Sequence, residues 1–260
     1  RQTQIYLRQW NGLKWQELGG ETHDGGISNN TGKSEYPSLA MNADGQAVVA
    51  WKDESGGRQI YLRIWDGQDW QELDGSASGR GISNSEGWAT RPSAAIDSQG
   101  NPFVAWMDHD IQTGRFEIYL LAWDGNAWQE LGGSGSGAGI SNQAKYSKTP
   151  VVKLDSNGHP VVCWVFDDNE SITSIHLRRW NGDDWVELEG SATAFGISGA
   201  GLDAYFLDMA LDRQDNPVVV WSAYLSENND LGMELYVKRW DGSSWQILPG
   251  SGPNGSIGDS

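Results

Sequence analysis

The sequence predicts an all-β chain: a β-propeller of about five blade positions, with four-stranded blades and an incomplete first blade. Three observations predict it. A motif W-[DN]-G-x-x-W recurs with its first Trp at Trp10, Trp65, Trp123, Trp180 and Trp240, in steps of 55, 58, 57 and 60 residues. A repeat of that length built of several short strands points to a propeller or a solenoid. A second motif precedes it four times, starting at Pro37, Pro92, Pro150 and, weakened, Leu207. Third, Val48-Val49-Ala50-Trp51 is apolar on both faces. A sheet wetted on one side would alternate apolar with polar residues. Sheets covered on both faces fit blades stacked around an axis. No stretch carries a helical period.

Each full repeat reads as four strands. The first covers 37–41, 92–96, 150–154 and 207–211. A turn follows, as in Asn42-Ala43-Asp44-Gly45 and Asp97-Ser98-Gln99-Gly100. Asn and Asp bond their own backbone there, and Gly takes positive φ at the end. The second strand covers 47–51, 102–106, 160–164 and 217–221, where an initial Pro is tolerated because its nitrogen need not join the ladder. The third covers 60–65 and the fourth 70–73, with Asp66-Gly67 marking the hairpin between them. A long crossover follows, as in 75–91, and carries Gly-Ile-Ser at Gly26, Gly81, Gly139 and Gly196. Its Ile is expected to plug the gap between blades.

The boundaries follow: one domain, 1–260, with a partial blade at 1–20 and blades at about 37–75, 92–132, 150–190 and 207–250. Four blades with a docked N-terminal hairpin is the alternative count. Arg1 falls in mid-repeat, so a processed, trimmed or partial chain is expected. An open blade edge would invite pairing into an oligomer.

Composition bounds the partners. Lys and Arg total 18 against 35 Asp and Glu, a net charge of -17. Such a surface repels phosphate backbones, so nucleic acid is not an expected partner. No apolar run reaches the length of a membrane span, so membrane insertion is not expected. The lone Cys163 stands where other repeats have Ala50, Ala105 and Val220, and reads as a small buried apolar residue. Gly and Trp excess without disulfides fits a secreted or cell-surface protein.

The candidate ligand contacts are aromatic: Trp65, Trp70, Trp123, Trp128, Trp180 and Trp185 from the paired motif, and Trp88 and Tyr146 from the crossovers. For the pairs, core packing competes with sugar stacking; for Trp88, a local plug competes with a ligand contact. Acidic loops hold Asp53, Glu54, Asp108, Asp110, Asp167, Asp168, Glu170, Glu227 and Asp230. They lack calcium-loop spacing and read as a solvated face, with Ca²⁺ as the alternative. No cofactor is expected. The four His show no shared spacing, and no nucleophile elbow, His pair or phosphate loop is present.

W-D-G-x-x-W, preceded by a strand with Arg two before the first Trp, resembles the repeats of the fucose-binding β-propeller lectins of bacteria and fungi. The resemblance implies a propeller whose paired Trp, here Trp65, Trp70 and their equivalents, wall a sugar cleft. That family's sugar-binding Glu, three before the first Trp, is replaced here by Leu7, Leu62, Leu120, Leu177 and Val237. Its Arg on the preceding strand has no counterpart in 48–51. The whole repeat also resembles those of bacterial secreted propellers of unassigned role.

The expectation is therefore a non-catalytic, extracellular, lectin-like propeller that binds carbohydrate between blades. The alternative is a structural or protein-docking module of a larger surface protein. A near-uniform repeat argues for several equivalent binding places over one catalytic centre, so no enzyme is expected.

Overall fold

The computed structural model describes residues 3–18, 26–143, 145–168, 173–225, 233–252 and 255–257. These residues form eighteen β-strands and no α-helix. No helix long and apolar enough to cross a membrane occurs among them. β1 (Arg8–Trp10) and β2 (Trp15–Glu17) make a two-stranded hairpin. The first full blade is β3 (Glu35–Met41), β4 (Ala47–Asp53), β5 (Gln59–Trp65) and β6 (Trp70–Gln71). The second is β7 (Thr90–Ile96), β8 (Pro102–Asp110), β9 (Arg115–Trp123) and β10 (Trp128–Gln129). The third is β11 (Tyr146–Leu154), β12 (Pro160–Asp167), β13 (Thr173–Trp180) and β14 (Trp185–Val186). The fourth is β15 (Leu202–Leu211), β16 (Pro217–Leu225), β17 (Glu234–Trp240) and β18 (Trp245–Ile247). Consecutive strands pair antiparallel within each blade.

The turns form for the reason the sequence implies. Asp97 Oδ1 accepts from the amides of Gln99 and Asn101 at 2.9 and 2.7 Å, and Asp155 and Asp212 repeat the arrangement. Asp66 Oδ1 accepts from the amides of Gln68 and Asp69, both at 2.8 Å, and Gly67 takes φ 102° to close the hairpin.

Both faces of each blade are covered. Ile60, Leu62 and Ile64 pack toward the second blade, while Val49, Trp51 and Tyr61 pack toward Ile5 and Leu7 of the hairpin segment. The most deeply buried Trp rings are Trp51, Trp106, Trp164 and Trp221, one per blade. Three stack on Tyr61, Tyr119 and Tyr236 with centroids 5.9–6.1 Å apart; Trp164 meets His176 instead, at 6.0 Å. A Trp hides roughly 150–250 Å². At about 25 cal/mol per Å² that is about 4–6 kcal/mol each as an upper bound. Cys163 is fully buried beside this core, as expected, and burial pushes its thiol pKa up.

The crossover does more than connect. Ile27, Ile82, Ile140 and Ile197 are buried, and their amides donate to the carbonyls of Ile5, Ile60, Ile118 and Ile175 at 2.7–2.9 Å. Leu62, Leu120 and Leu177 donate to Ser76, Ser134 and Ser191, each at 2.9 Å. The crossover thus covers the outer edge of each third strand. This explains why β6 ends at Gln71 and not at Leu73 as the pattern predicts.

The blades are tied at their outer hairpins. Trp70, Trp128, Trp185 and Trp245 each donate Nε1 to a carbonyl of the preceding position, respectively Leu18, Leu73, Leu131 and Leu188, at 2.8–3.0 Å. Leu18 belongs to the β1–β2 hairpin segment, so that hairpin holds the outer place of a blade position ahead of the first full blade.

The inner strands differ most from expectation. They begin upstream of 37, 92, 150 and 207, because each contains a bulge and resumes pairing before it. The bulge holds Tyr36, Arg91, Thr149 or Phe206 at φ 54°, 51°, 49° or 47°. Pro follows in three of the four and places its missing donor where the ladder is already broken.

Candidate functional site

The face carrying the crossovers also carries the ends of the second strands and the starts of the third. There the blades differ from one another. In the first full blade β4 ends at Asp53 opposite Gln59. In the second, β8 and β9 continue past the equivalent pair Asp108 and Glu117 to Asp110 and Arg115. Opposed residues, and residues two apart along a strand, share a face of the sheet. The longer hairpin therefore gathers Asp108, Asp110, Arg115 and Glu117 on one face.

Glu117 is only 4% exposed. The Ser141 hydroxyl donates to its Oε2 and itself accepts from the Ile118 amide at 2.9 Å, so the serine proton is committed to the carboxyl. At the equivalent places, Ser28 and Ser83 donate to the amide oxygens of Gln4 and Gln59 at 2.6 and 2.7 Å. A carboxyl thus stands where the two preceding copies carry a neutral amide, while the following copies carry Ser174 and Glu234. Burial pushes its pKa up to about 7, against the opposing hydrogen bonds from Ser141 and the Gln143 amide.

Asp110 is perturbed in the opposite direction. The Gln112 amide and the Thr113 hydroxyl donate to it at 2.8 and 2.9 Å and hold its pKa below the usual carboxylate range. Burial raises the pKa of Asp108, whose Oδ2 accepts from Trp106 Nε1 at 3.3 Å while Oδ1 has no hydrogen-bond partner. A cleft of about 500 Å³ is lined by Asp110, Arg115, Glu117, Asn142 and Gln143. A second, of about 400 Å³, is lined by Asp108, His109 and Asp110, so Asp110 borders both. A third cavity, of about 540 Å³, lies on the axis among the four inner strands.

The structure divides the aromatic contacts predicted from the sequence between two faces. The Trp65–Trp70, Trp123–Trp128 and Trp180–Trp185 pairs have centroids 5.5–5.7 Å apart and lie at the hairpin ends of the strands, away from the crossover motifs. Trp65 and Trp180 are buried and Trp123, Trp70, Trp128 and Trp185 half-buried. Trp88 and Tyr146 lie on the crossover face. Trp88 is 51% exposed and stacks on His109 at 5.1 Å, with Arg58 over its ring at 4.9 Å. Tyr146 meets Phe116 of the long hairpin at 6.2 Å. Among the described residues no three His, Cys, Asp or Glu are grouped to hold a metal ion. Glu170, Glu227 and Asp230 of the acidic loops lie outside the described residues.

No family model matches this chain, and no curated protein matches it. Solved structures do. A protein of unknown function from Dyadobacter fermentans is 12% identical with a TM-score of 0.55, covering 84% of this chain and 70% of its own. The GH93 α-L-arabinofuranosidase of Fusarium graminearum, solved with arabinobiose, is 10% identical with a TM-score of 0.52, covering 79% of this chain and 61% of its own. The α-L-arabinanase of Penicillium chrysogenum, complexed with arabinobiose, is 13% identical with a TM-score of 0.50, covering 80% and 62%.

These likenesses agree with the propeller fold and correct the functional expectation. Two of these similar propellers are named as glycoside hydrolases, an arabinofuranosidase and an arabinanase. Neither a non-catalytic lectin-like module nor its docking-module alternative stands as the reading, and the expectation of no enzyme is withdrawn. The physical reason lies in the second blade: the repeat is not uniform where it matters. Glu117 stands at a position that varies between copies, so the repeat itself does not mark it. Its signal was available in the register that places it opposite Gln4 and Gln59 in the repeat.

Proposed function

We propose that this chain is a glycan-processing propeller that cleaves a glycosidic bond in the cleft between Asp110 and Glu117. One observation carries the reading: two carboxyls on one sheet face, beside one cleft, have pKa values displaced in opposite directions. Such divergence assigns acid and base roles. Glu117, which burial keeps partly protonated at neutral pH, gives its proton to the leaving glycosidic oxygen. Asp110, ionised, stabilises positive charge at the sugar carbon or activates the attacking water. Arg115, paired opposite Asp110 in the ladder, also lines the cleft.

Trp88 and Tyr146 are proposed as platforms beside the cleft, since sugar rings present apolar faces to aromatic side chains. The paired Trp on the opposite face remain a separate proposal for secondary glycan contact. An extracellular or cell-surface setting suits a glycan substrate and the acidic surface. Arabino-oligosaccharides are the first substrates to try, because two of the similar propellers were solved with arabinobiose.

Release of reducing ends from a panel of arabinans and other polysaccharides tests the proposal. Cleavage should fall as the pH rises past about 7, where Glu117 loses its proton. E117Q and D110N should each lower kcat by about a hundredfold or more. Cleavage undiminished in both variants, or no release from any glycan, refutes it.

A further inference from the structure

We propose that the axial cavity is a binding site for a carboxylate-bearing sugar, a uronic acid, held at Arg91. The site is separate from the Asp110–Glu117 cleft and requires no cleavage there.

The argument begins with the four bulges. Each breaks the ladder at the same place and takes one residue out of pairing. A bulge re-aims a side chain, and here all four freed residues, Tyr36, Arg91, Thr149 and Phe206, line one cavity of about 540 Å³. Left-handed backbone at a non-Gly residue costs about 1 kcal/mol or more, and such strain gathers at functional sites. The framework repeats, with Pro37, Pro92 and Pro150 beside three of these positions, yet the four side chains are an aromatic ring, a cation, a hydroxyl and a second aromatic ring. Packing alone would favour one solution used four times.

The chemistry of the lining then selects the ligand. Arg91 is exposed, its guanidinium lies 4.9 Å over the Tyr36 ring, and no carboxylate of the described residues pairs with it. An unpaired cation at the mouth of a cavity is notable in a protein of net charge -17. The neighbouring Lys148 is held by Asp167 at 2.6 Å, which leaves Arg91 as the available anion partner. Guanidinium suits the planar geometry of a carboxylate. Tyr36 is 46% and Phe206 78% exposed, so two solvent-accessible aromatic rings border the same space for a sugar ring. Asp203, fixed by Thr173 Oγ1 at 2.7 Å and Tyr205 OH at 2.8 Å, sets the hydroxyls of that wall. A cation stacked on one aromatic ring, with a second aromatic ring bordering the same cavity, matches a ring that carries one carboxylate.

Titration calorimetry of the whole chain with oligogalacturonate, neutral galacto-oligosaccharide and acetate tests this. Oligogalacturonate should bind and weaken with added salt, and the neutral oligomer should bind at least about tenfold more weakly. R91Q should lose about tenfold or more of that affinity. Its thermal melt should be unchanged, because Arg91 is exposed and carries no ion pair. E117Q and D110N should bind as the parent does, which separates this site from the cleavage proposal. Equal affinity for the neutral oligomer, acetate binding as tight as the sugar, no effect of R91Q, or no binding at all overturns it.

Discussion

Replacing Glu117 with Gln should stabilise this protein at neutral pH while abolishing the proposed cleavage. The magnitude follows from the carboxyl's environment. Glu117 is 4% exposed and its pKa is pushed from 4.5 to about 7. The folded state therefore holds the proton more tightly than the unfolded chain does. Below pH 4.5 both states are protonated and the residue costs nothing extra. As the pH rises from 4.5 toward 7, folding must keep a proton that the unfolded chain has released, and stability falls. Above about 7 the loss is complete. At 1.36 kcal/mol per pKa unit it amounts to about 3 kcal/mol. Gln carries no such cost. Gln59 shows that the amide fits: its Oε1 accepts from the Ser83 hydroxyl and the Ser85 amide at 2.7 and 2.9 Å, and its Nε2 donates to the Ser85 carbonyl at 2.9 Å. Thermal melts of parent and E117Q from pH 4 to 8 read the effect. The two should coincide near pH 4 and diverge by about 6–12 °C by pH 8. A difference that stays flat across that range refutes both the buried acid and its role as proton donor.

The third-blade core offers the mirror case. His176 is 1% exposed and burial lowers its pKa to about 4, so its contribution is present above pH 6.5 and lost as the pH falls toward 4. H176Y, which installs the residue found at Tyr61, Tyr119 and Tyr236, should flatten the melting temperature over that acid range. Removing one tie between blades should cost little but measurably: W128F, which loses the 3.0 Å bond to Leu73, should lower stability by about 1–2 kcal/mol in urea unfolding. W15F is its control. Trp15 is 63% exposed and donates to no described residue, so the change should stay within about 0.5 kcal/mol.

The architecture was legible because it is written in residues that must recur. Asp97 and Asp66 close turns through their own side chains, and Trp51 and its counterparts fill one core position per blade. The hairpin Trp were loud for the same reason. Trp70, Trp128, Trp185 and Trp245 tie neighbouring blades, which makes recurrence a mark of structural duty. The candidate site was not legible from that signal, because it lies in departures from the repeat. Glu117 differs from Gln59 by one functional group, and only the structure shows that Ser141 and burial change its acidity. The bulges hid for a different reason. Tyr36-Pro37 and Arg91-Pro92 read as strand starts, since a missing donor fits either a first residue or a broken ladder. Pairing upstream, between Glu35 and Lys52 and between Thr90 and Met107, decides the matter.

The bulges also give the ring a modular vocabulary. Tyr36, Arg91, Thr149 and Phe206 stand outside their ladders, so each can be exchanged without disturbing a strand pairing. Four positions that tolerate any residue able to hold a left-handed backbone amount to a short alphabet displayed around one hole. Asn or Gly scanned there would rewrite what the cavity admits while the surrounding scaffold goes on folding as before.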